Sequence, residues 1–269
     1  MEPRLRWDKA QPLRDPEISE DNASVNDLNG KTVLITGGAR RLGRAMVLAA
    51  GRAGAQVAFT YLHSASEADE TGRELGGLAI KYRALRCDVR SENSVARTVE
   101  SVLETFGRID VLVNNAGIFE TAALDNISQE QWENVFSTNV GGPFLMTRHC
   151  TPSLREVKGH IVNLGSLGGE KPWVTHAHYC ASKAALHMLT RVTAKALAPD
   201  VAVNCVAPGM IDSGEGERDA SLLKRLAERA PAARNGTPED VVSAVMYFAT
   251  CSHYITGQIL IVDGGLGLV

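Results

Sequence analysis

A block rich in lysine and arginine is missing from this chain, and long apolar runs are missing as well. The 269 residues include 28 lysines and arginines against 31 aspartates and glutamates, and no block is rich in basic residues. Such a block marks binding to nucleic acid or to an anionic membrane, so neither is expected as a partner. No apolar run is long enough to cross a bilayer, and the first residues contain no hydrophobic signal core.

Cysteine is scarce and scattered. The five cysteines stand at positions 87, 150, 180, 205 and 251, and no Cys-x-x-Cys pair occurs. An odd, dispersed set argues against a disulfide framework and against a zinc site, so we predict reduced thiols in a cytoplasmic protein. No cluster of histidine, cysteine and carboxylate has metal-ligand spacing, and no metal is expected.

What the chain does contain, from Lys31 onward, is a regular alternation of short apolar runs with longer amphipathic stretches. Alternating strands and helices favour a parallel sheet covered on both faces. We therefore predict one α/β domain over residues 29–269, a doubly wound Rossmann fold with a seven-stranded parallel sheet. The predicted strands cover residues 32–36, 56–60, 82–87, 109–113, 160–164, 201–206 and 259–262. The predicted helices cover residues 41–53, 66–75, 91–106, 128–157, 177–198, 222–229 and 238–250.

Residues 1–28 differ from the rest of the chain. The first half of this segment is mixed and basic, the second half is acidic and polar, and neither shows apolar periodicity. We predict a flexible N-terminal arm. The alternative is an arm that packs on a neighbouring subunit through Leu5 and Trp7.

A glycine-containing turn, Thr36-Gly-Gly-Ala-Arg-Arg-Leu-Gly43, follows the first predicted strand and opens the first predicted helix. Glycines at this place let a pyrophosphate approach the backbone, and the helix N-terminus offers free N–H groups and positive potential. The alternative, a turn that merely joins strand to helix, is weakened by its position directly after the strand. The spacing resembles the Thr-Gly-x-x-x-Gly-x-Gly of short-chain dehydrogenases/reductases, with Arg41 where the middle glycine usually stands.

The end of the second strand bears on the choice between NAD(H) and NADP(H). An NAD site carries an acid there, about 20 residues beyond the glycines, that bonds the ribose 2′-hydroxyl. Tyr61 occupies this position, and the nearest acid, Glu67, falls inside the next predicted helix. Arg40 and Arg41 add positive charge suited to a 2′-phosphate. The sequence therefore predicts NADP(H) over NAD(H).

Two further strand ends carry residues suited to a cofactor. Asp88-Val89 ends the third strand, and Asn114-Asn-Ala-Gly117 ends the fourth. Small residues let the chain run close to a cofactor, and the asparagine side chains can bridge neighbouring strands. In the family that the chain resembles, Asp88 bonds the adenine amino group. Its alternative role is to cap the helix that starts near Ser91.

Tyr179 and Lys183 stand four residues apart in a predicted helix and therefore share one face. An ammonium beside a phenol stabilises the phenolate, so Lys183 is expected to lower the pKa of Tyr179. Ser166 lies 13 residues before Tyr179, and Asn139 lies in the long helix after the fourth strand. Each residue alone has a structural explanation, but together they match the Asn-Ser-Tyr-Lys tetrad of short-chain dehydrogenases/reductases. Cys180 points about 100° away around the helix and is predicted to be small core filler.

The resemblance to this family covers residues 31 to about 265. It includes Pro208-Gly209 after the sixth strand and the closing segment Thr256–Gly265. Ser213 stands where the family usually carries a threonine that holds the nicotinamide carboxamide. A homotetramer, or a dimer, with the helix of Tyr179 in one interface is also implied.

The chemistry that the resemblance implies is reduction of a carbonyl to an alcohol by NADPH. Tyr179 would donate a proton to the developing alkoxide, and Ser166 would hydrogen-bond the same oxygen. Lys183 would also hold the nicotinamide ribose hydroxyls, and Asn139 would position a water that links Lys183 to solvent. The protein would supply orientation and charge, while the cofactor carries the redox chemistry.

The predicted site has three groups of residues. The catalytic group is Asn139, Ser166, Tyr179 and Lys183. The cofactor-binding group is Gly37, Arg40, Arg41, Leu42, Gly43, Tyr61, His63, Ser64, Asp88, Val89, Asn115, Ala116, Gly117, Tyr179, Lys183, Pro208, Gly209, Ile211 and Ser213. The substrate pocket is Phe119, Gly168, Trp173 and Met210, and His176 is either an ordinary loop residue or a substrate contact.

The substrate class is left with alternatives. The closing pattern and the length resemble 3-oxoacyl-(acyl carrier protein) reductases, so an enzyme of that type or a general ketoreductase is placed first. Arg41 and the segment Leu197–Asn204 resemble pteridine reductases, although many of those carry aspartate in place of Ser166. A non-catalytic NADP-binding sensor is the alternative of another class. The acidic, glycine-rich segment from Met210 to about Arg229 is predicted to move over a bound small-molecule substrate.

Overall fold

Seven parallel strands form one sheet in the order β3-β2-β1-β4-β5-β6-β7. The structure is a computed structural model, and it describes residues 27–214 and 220–269. The strands are β1 Thr32–Ile35, β2 Gln56–Tyr61, β3 Tyr82–Arg86, β4 Val111–Asn114, β5 His160–Leu164, β6 Ala202–Pro208 and β7 Ile259–Val262. The predicted doubly wound parallel sheet is confirmed, and Pro208, expected just after the sixth strand, is its last residue.

Helices connect the strands, as the alternating pattern predicts. They are α1 Arg41–Arg52, α2 Ala65–Gly77, α3 Glu92–Phe106, α4 Gln129–Phe136, α5 Gly142–Glu156, α6 Ala177–Leu197, α7 Ala220–Arg229 and α8 Pro238–Thr250. The long helix predicted over residues 128–157 is in fact two helices joined by a π turn, Ser137–Gly141. The start of α4 is determined by the local sequence, because Ser128 and Gln131 form a reciprocal capping box at its N-terminus.

The core has two halves, one on each face of the sheet. Val33 and Ile35 of β1 pack in the half covered by α1 and α8. Leu34, between them, packs in the other half, with α3 and α5. Successive side chains of a strand point to opposite faces, so a strand buried on both faces must be apolar throughout. Each such buried side chain contributes about 1.5–3 kcal/mol of hydrophobic stabilisation.

The chain order reverses between β1 and β4, which are adjacent in the sheet. Ile35 pairs with Val113, so the ends of both strands lie at one level. A crevice opens at such a reversal, beyond the carboxyl ends of the strands, and this is where sheets of this kind bind ligands. The predicted glycine turn and the segment ending at Gly117 both start there.

Asparagine side chains hold this edge of the sheet together, as predicted. Asn115 Nδ2 donates to the carbonyl oxygens of Thr36 and Gly37 over 2.8 and 3.0 Å. Asn114 Nδ2 donates to Asn163 Oδ1 over 2.8 Å and so joins β4 to β5. These bonds fix the ends of β1, β4 and β5 relative to one another before any ligand binds.

The folded domain begins earlier than the sequence indicated. Leu28, predicted to end the flexible arm, is buried, and its N–H donates to the carbonyl oxygen of Ala53 over 2.9 Å. The suggested packing of Leu5 and Trp7 lies outside the described residues. Within residues 27–214 and 220–269, no helix is both long and apolar enough to cross a membrane, and no group of three metal-ligating side chains is brought together.

Candidate active site

The glycine turn after β1 leaves the N-terminus of α1 open. Arg40 is the N-cap residue, and no side chain caps the helix. A Cβ atom on Gly43 would stand 2.0 Å from the carbonyl oxygen of Gly37, so only glycine allows this close approach. Arg41 has φ of 50°, a left-handed conformation that glycine adopts readily and other residues rarely do. The uncapped helix start leaves N–H groups of the kind that bind a pyrophosphate, and binding there stays a prediction.

A cavity of about 430 Å³ lies beside this turn. All predicted cofactor residues from the first half of the chain line it: Gly37, Arg40, Arg41, Leu42, Gly43, Tyr61, His63, Ser64, Asp88, Val89, Asn115, Ala116 and Gly117. Sequence reasoning missed the other lining residues, Ala39, Thr60, Leu62, Cys87, Arg90, Ile118, Asn134 and Thr138. Their common signal is adjacency to a predicted strand end, except for Asn134 and Thr138, which come from α4 and the π turn.

Arg90 is the most consequential of the missed residues. Its guanidinium donates to both carboxylate oxygens of Asp88, over 2.9 and 2.8 Å, and to Asn134 Oδ1 over 2.8 Å. The hydrogen bond from the Arg90 side chain lowers the pKa of Asp88. Asp88 therefore does not cap α3. That role belongs to Ser91, whose side chain accepts from Ser94 N.

Lys183 lies buried on α6 with its Nζ beside the crevice. Nζ donates to the carbonyl oxygen of Leu164 over 2.7 Å and lies 5.8 Å from the centre of the Tyr179 ring. Burial lowers the pKa of Lys183 to about 8. A Cβ atom on Gly117 would stand 3.7 Å from Nζ, so the small residue at the end of the β4 segment leaves Lys183 access to the crevice.

Tyr179 faces Ser166 across the same site. Burial raises the pKa of Tyr179, and the neighbouring side chain of Ser166 lowers it in part. The expectation that Lys183 lowers the pKa of Tyr179 is not met here, because the Lys183 ammonium points to Leu164 and burial dominates. The phenol is therefore held protonated, which is the form that a proton donor needs.

Asn139 lies in the π turn rather than in a regular helix. Its side chain is fully buried and pairs with the backbone of Ile118: Nδ2 donates to the carbonyl oxygen over 3.0 Å, and Oδ1 accepts from the N–H over 2.9 Å. Nδ2 also donates to Ser182 Oγ over 3.1 Å. Single π turns inside helices are frequent at functional sites. Asn139 thus fastens the segment after β4 to α6, close to Lys183.

Two of the four predicted pocket residues contact the Tyr179 ring, and a third, Gly168, lies beside Trp173 and Ser166. The Phe119 ring meets it edge-on at 4.8 Å between ring centres, and the Trp173 ring lies roughly parallel to it at 6.1 Å. A Cβ atom on Gly168 would stand 3.4 Å from both Trp173 and Ser166. His176 stacks on Phe119, but both of its ring nitrogens have partners, at 3.0 Å each, in Thr121 and Thr175. These bonds favour its interpretation as a loop residue.

Cys180 was predicted to be small core filler, and the structure shows that it is not. It is half-buried, and its sulfur lies 3.4 Å from where a Cβ atom on Gly168 would stand, on the pocket side of α6. Burial raises the pKa of its thiol, so it stays protonated and unreactive. The five cysteines are free thiols.

The predicted residues after β6 lie apart from the cavity lining. Gly209 packs against Asp263, since a Cβ atom there would stand 2.5 Å from the Asp263 Cβ. Met210 and Ile211 pair with Gly236: the Met210 carbonyl oxygen accepts from Gly236 N over 2.9 Å, and Ile211 forms an isolated parallel bridge with it. Ser213 lines a separate surface depression. Residues 215–219 of the predicted mobile segment lie outside the described residues, and its helix is α7.

Comparison with known proteins gives one consistent answer. A family profile described as Enoyl-(Acyl carrier protein) reductase matches residues 37–267. The 3-oxoacyl-(acyl-carrier-protein) reductase FabG of Thermotoga maritima is 36% identical over 243 residues, which is 89% of this chain and 98% of that protein. The 3-oxoacyl-(acyl-carrier-protein) reductase of Synechocystis sp. is 36% identical over 248 residues, with the same coverage.

Solved structures agree with these relatives. A dehydrogenase/reductase from Sinorhizobium meliloti has a TM-score of 0.85 at 32% identity and covers 90% of this chain and 97% of its own. A blue fluorescent protein from a metagenomic library, solved in complex with NADPH, has a TM-score of 0.84 at 33% identity and covers 89% of this chain and 99% of its own. The chain belongs to the short-chain dehydrogenase/reductase family of oxidoreductases. Its cofactor is accordingly a nicotinamide dinucleotide.

Proposed function

We propose that this protein is an NADPH-dependent reductase that converts a carbonyl to an alcohol with Tyr179 as general acid. The observation that carries the proposal is the grouping of Tyr179, Ser166 and buried Lys183: the Ser166 side chain acts on the pKa of Tyr179, and Lys183 Nζ lies 5.8 Å from the centre of the Tyr179 ring. Ser166 follows β5 and Tyr179 lies on α6, while Gly117, which lines the cavity, stands beside Lys183. The names of the curated relatives support a 3-oxoacyl-(acyl carrier protein) reductase-like or general ketoreductase activity.

The charge around the cavity supports NADP(H) over NAD(H). Arg40 and Arg41 line it on one side, next to Tyr61 at the end of β2. Among the described residues that line it, Asp88 is the sole acid, and Arg90 already neutralises it. Glu67 lies in α2 and not in the lining. A 2′-phosphate would thus meet guanidinium groups, which bind phosphate oxygens strongly, rather than a carboxylate that repels them. The solved relative with bound NADPH supports the same choice.

The protein's own residues would handle the proton while the bound cofactor supplies the hydride. Tyr179, kept protonated by its raised pKa, donates its proton to the oxygen of the carbonyl. Ser166 donates a hydrogen bond to the same oxygen and fixes it between the two hydroxyls. The rings of Phe119 and Trp173 flank Tyr179 and would give the substrate an apolar wall.

Lys183 and Asn139 would support the proton donor. The Lys183 ammonium, whose pKa of about 8 leaves it mostly charged at neutral pH, lies 5.8 Å from the centre of the Tyr179 ring and would add positive potential there only once a phenolate has formed. It also faces the crevice past Gly117, toward the ribose hydroxyls of a bound cofactor. Asn139 holds the segment after β4 and the turn of α6 at Ser182 in place, and it would position the water that resupplies the proton.

A panel of carbonyl compounds tests the proposal. Oxidation of NADPH would be followed with acetoacetyl thioesters, dihydropteridines, diketones and sugars, each also with NADH. Turnover of the thioesters would support the first assignment, and turnover of the dihydropteridines would support the pteridine reductase alternative. Tight NADPH binding without oxidation across the panel would instead favour a non-catalytic sensor.

The assembly proposed is a homotetramer or a dimer. Large apolar side chains are exposed on neighbouring helices: Phe144 on α5, and Met188 and Val192 on α6, are 46%, 55% and 56% exposed. A second copy packing there would bury them with the helix that carries Tyr179. Light scattering after size exclusion measures the mass directly, and a monomer at micromolar concentration would contradict the proposal. Location in the cytoplasm stays a prediction.

A further inference from the structure

His187 is a buried histidine of α6 that lies one helical turn beyond Lys183, on the same face. Its side chain is 2% exposed, and its ring lies against the turn that carries Ser166. A Cβ atom on Gly165 would stand 2.4 Å from His187 Nε2, and one on Gly169 would stand 2.6 Å from Cε1. Two glycines therefore make room for the imidazole directly behind this turn.

Both ring nitrogens of His187 have partners. Nδ1 lies 2.9 Å from Oε1 of Glu170, and Nε2 accepts from the backbone N–H of Ser166 over 3.5 Å. These contacts assign the tautomer: Nδ1 carries the proton and donates to the carboxylate, and Nε2 presents its lone pair. A carboxylate bonded to one nitrogen fixes both the tautomer and the orientation of the ring.

Consecutive turns of α6 thus hold the chain on either side of Gly165. Lys183 binds the carbonyl oxygen of Leu164, and His187 receives the N–H of Ser166. The Ser166 Oγ accepts from Gly168 N over 3.0 Å, within the same turn. The direction of the Ser166 hydroxyl therefore depends on a backbone that His187 supports from behind.

We propose that His187 and Glu170 are positioning residues for the reduction: Glu170 orients the imidazole, and the imidazole holds the backbone of Ser166 so that its hydroxyl meets the substrate oxygen together with Tyr179. The inference rests on the proposed reductase function. Neither His187 nor Glu170 lines the cofactor cavity, so loss of the pair lowers kcat and leaves the KM for NADPH unchanged.

The pair also makes the rate depend on pH. The titratable and charged groups that face the ring are Glu170, Lys183, Arg191 and Cys205. Burial lowers the pKa of His187, and the hydrogen bond to Glu170 opposes that shift. When Nε2 gains a proton it can no longer accept the Ser166 N–H, so kcat falls on the acid side of the His187 pKa.

Three variants separate positioning from packing. His187→Gln keeps an N–H for Glu170 and an acceptor for Ser166 but cannot take up a proton in this range. It should retain kcat at pH 7.5 and lose the acid limb of the pH profile. His187→Leu fills the space without either bond and should lower kcat by about 100-fold, since misplacement by about 1 Å costs that much. His149→Leu, a histidine of α5, is the matched control and should leave kcat unchanged.

Glu170→Gln and hydrogen exchange complete the test. Glu170→Gln keeps an acceptor without the charge and should lower kcat less than His187→Leu does. Hydrogen exchange of the backbone amides of residues 164–171, measured by mass spectrometry, should be faster in His187→Leu than in the wild-type protein. It should be unchanged in His187→Gln. If exchange changes in this way but the wild-type protein shows no turnover, the proposed reductase function is overturned, and only the hold of His187 on the Ser166 backbone remains supported.

Two results would overturn the positioning role. One is a His187→Leu protein with normal kcat and only a lower unfolding temperature. The other is an unchanged acid limb in His187→Gln, which decides the matter even if His187→Leu fails to fold.

Discussion

The Nζ of Lys183 donates a 2.7 Å hydrogen bond to the carbonyl oxygen of Leu164, the last residue of β5. This bond holds the ammonium at the edge of the sheet instead of at the Tyr179 hydroxyl. The Lys183 side chain is buried there. The position explains why the two neighbouring groups shift in the ways they do: burial favours the neutral form of each, so the pKa of Lys183 falls and that of Tyr179 rises.

The reduction rate should therefore decline at alkaline pH because of Lys183. Its pKa of about 8 means that the ammonium loses its charge above that pH, while Tyr179, with its raised pKa, stays protonated. We expect kcat/KM for the carbonyl to fall about tenfold per pH unit above pH 8. The profile is measured with NADPH at saturation. Lys183→Met should be slow at every pH and lack this limb, and a wild-type rate that is constant to pH 10 would contradict the assignment.

Tyr179→Phe removes the proposed proton donor and keeps the ring. General acid catalysis contributes about 10²–10⁴-fold, so kcat should drop by that range. The Kd for NADPH, measured by fluorescence titration, should change by less than about twofold, because the hydroxyl serves the carbonyl. Tyr247→Phe, on α8 and 41% exposed, is the matched control. A near-normal kcat in Tyr179→Phe would rule out this mechanism.

Arg41 should destabilise the fold through its left-handed backbone and, in return, favour NADPH over NADH through its charge. In Arg41→Gly the left-handed conformation is no longer strained, which should stabilise the fold by about 1 kcal/mol. Loss of a charged hydrogen bond to the 2′-phosphate should lower kcat/KM for NADPH about tenfold and leave NADH unaffected. Arg41→Ala separates the two effects, because it loses the charge and keeps the strain. An equal loss with both cofactors would show that Arg41 does not contact the 2′-phosphate.

His160 should make the protein sensitive to acid. Its ring lies 4.4 Å from that of His253 at the start of β5, and burial, then the charges of His253 and Lys31, lower its pKa to about 4. Between pH 4 and the ordinary value of 6.5, the unfolded chain binds more protons, so stability falls as pH drops through this window. The contribution is at most about 3 kcal/mol. Urea unfolding at pH 7 and 4.5 should show a smaller loss in His160→Gln, and an identical loss would refute the prediction.

Periodicity sufficed for the elements that are apolar on both faces. All seven strands lie within two residues of their predicted bounds, because central strands such as β1 and β4 each contain three consecutive apolar residues that are buried. The residues that line the cavity next to these strand ends were predictable as neighbours for the same reason, since parallel strands end at one edge. Both kinds of prediction need only the order of residue types along the chain.

Contacts between distant residues were beyond that kind of reasoning. Nothing in the sequence pairs Arg90 with Asn134, which are 44 positions apart. The burial of Lys183 and that of Tyr179 decide the directions of their two pKa shifts, and neither follows from helical spacing. The place of Cys180 depends on which side of α6 meets the pocket, and an amphipathic pattern with small residues on several sides leaves that open.

The π turn at Ser137–Gly141 limits how the length of this segment can change in evolution. A π turn holds one residue more than a regular turn, and each residue added to a helix rotates everything after it by about 100°. The inward direction of Asn139 and the outward direction of Phe144 are therefore set by the same extra residue. Deleting a single residue there would rotate α5 about its axis. It would disturb both the proposed active site at Asn139 and the proposed subunit contact at Phe144. A change in the length of this turn therefore alters the direction of Asn139 and the direction of Phe144 together, so the proposed chemistry and the proposed assembly share one evolutionary constraint.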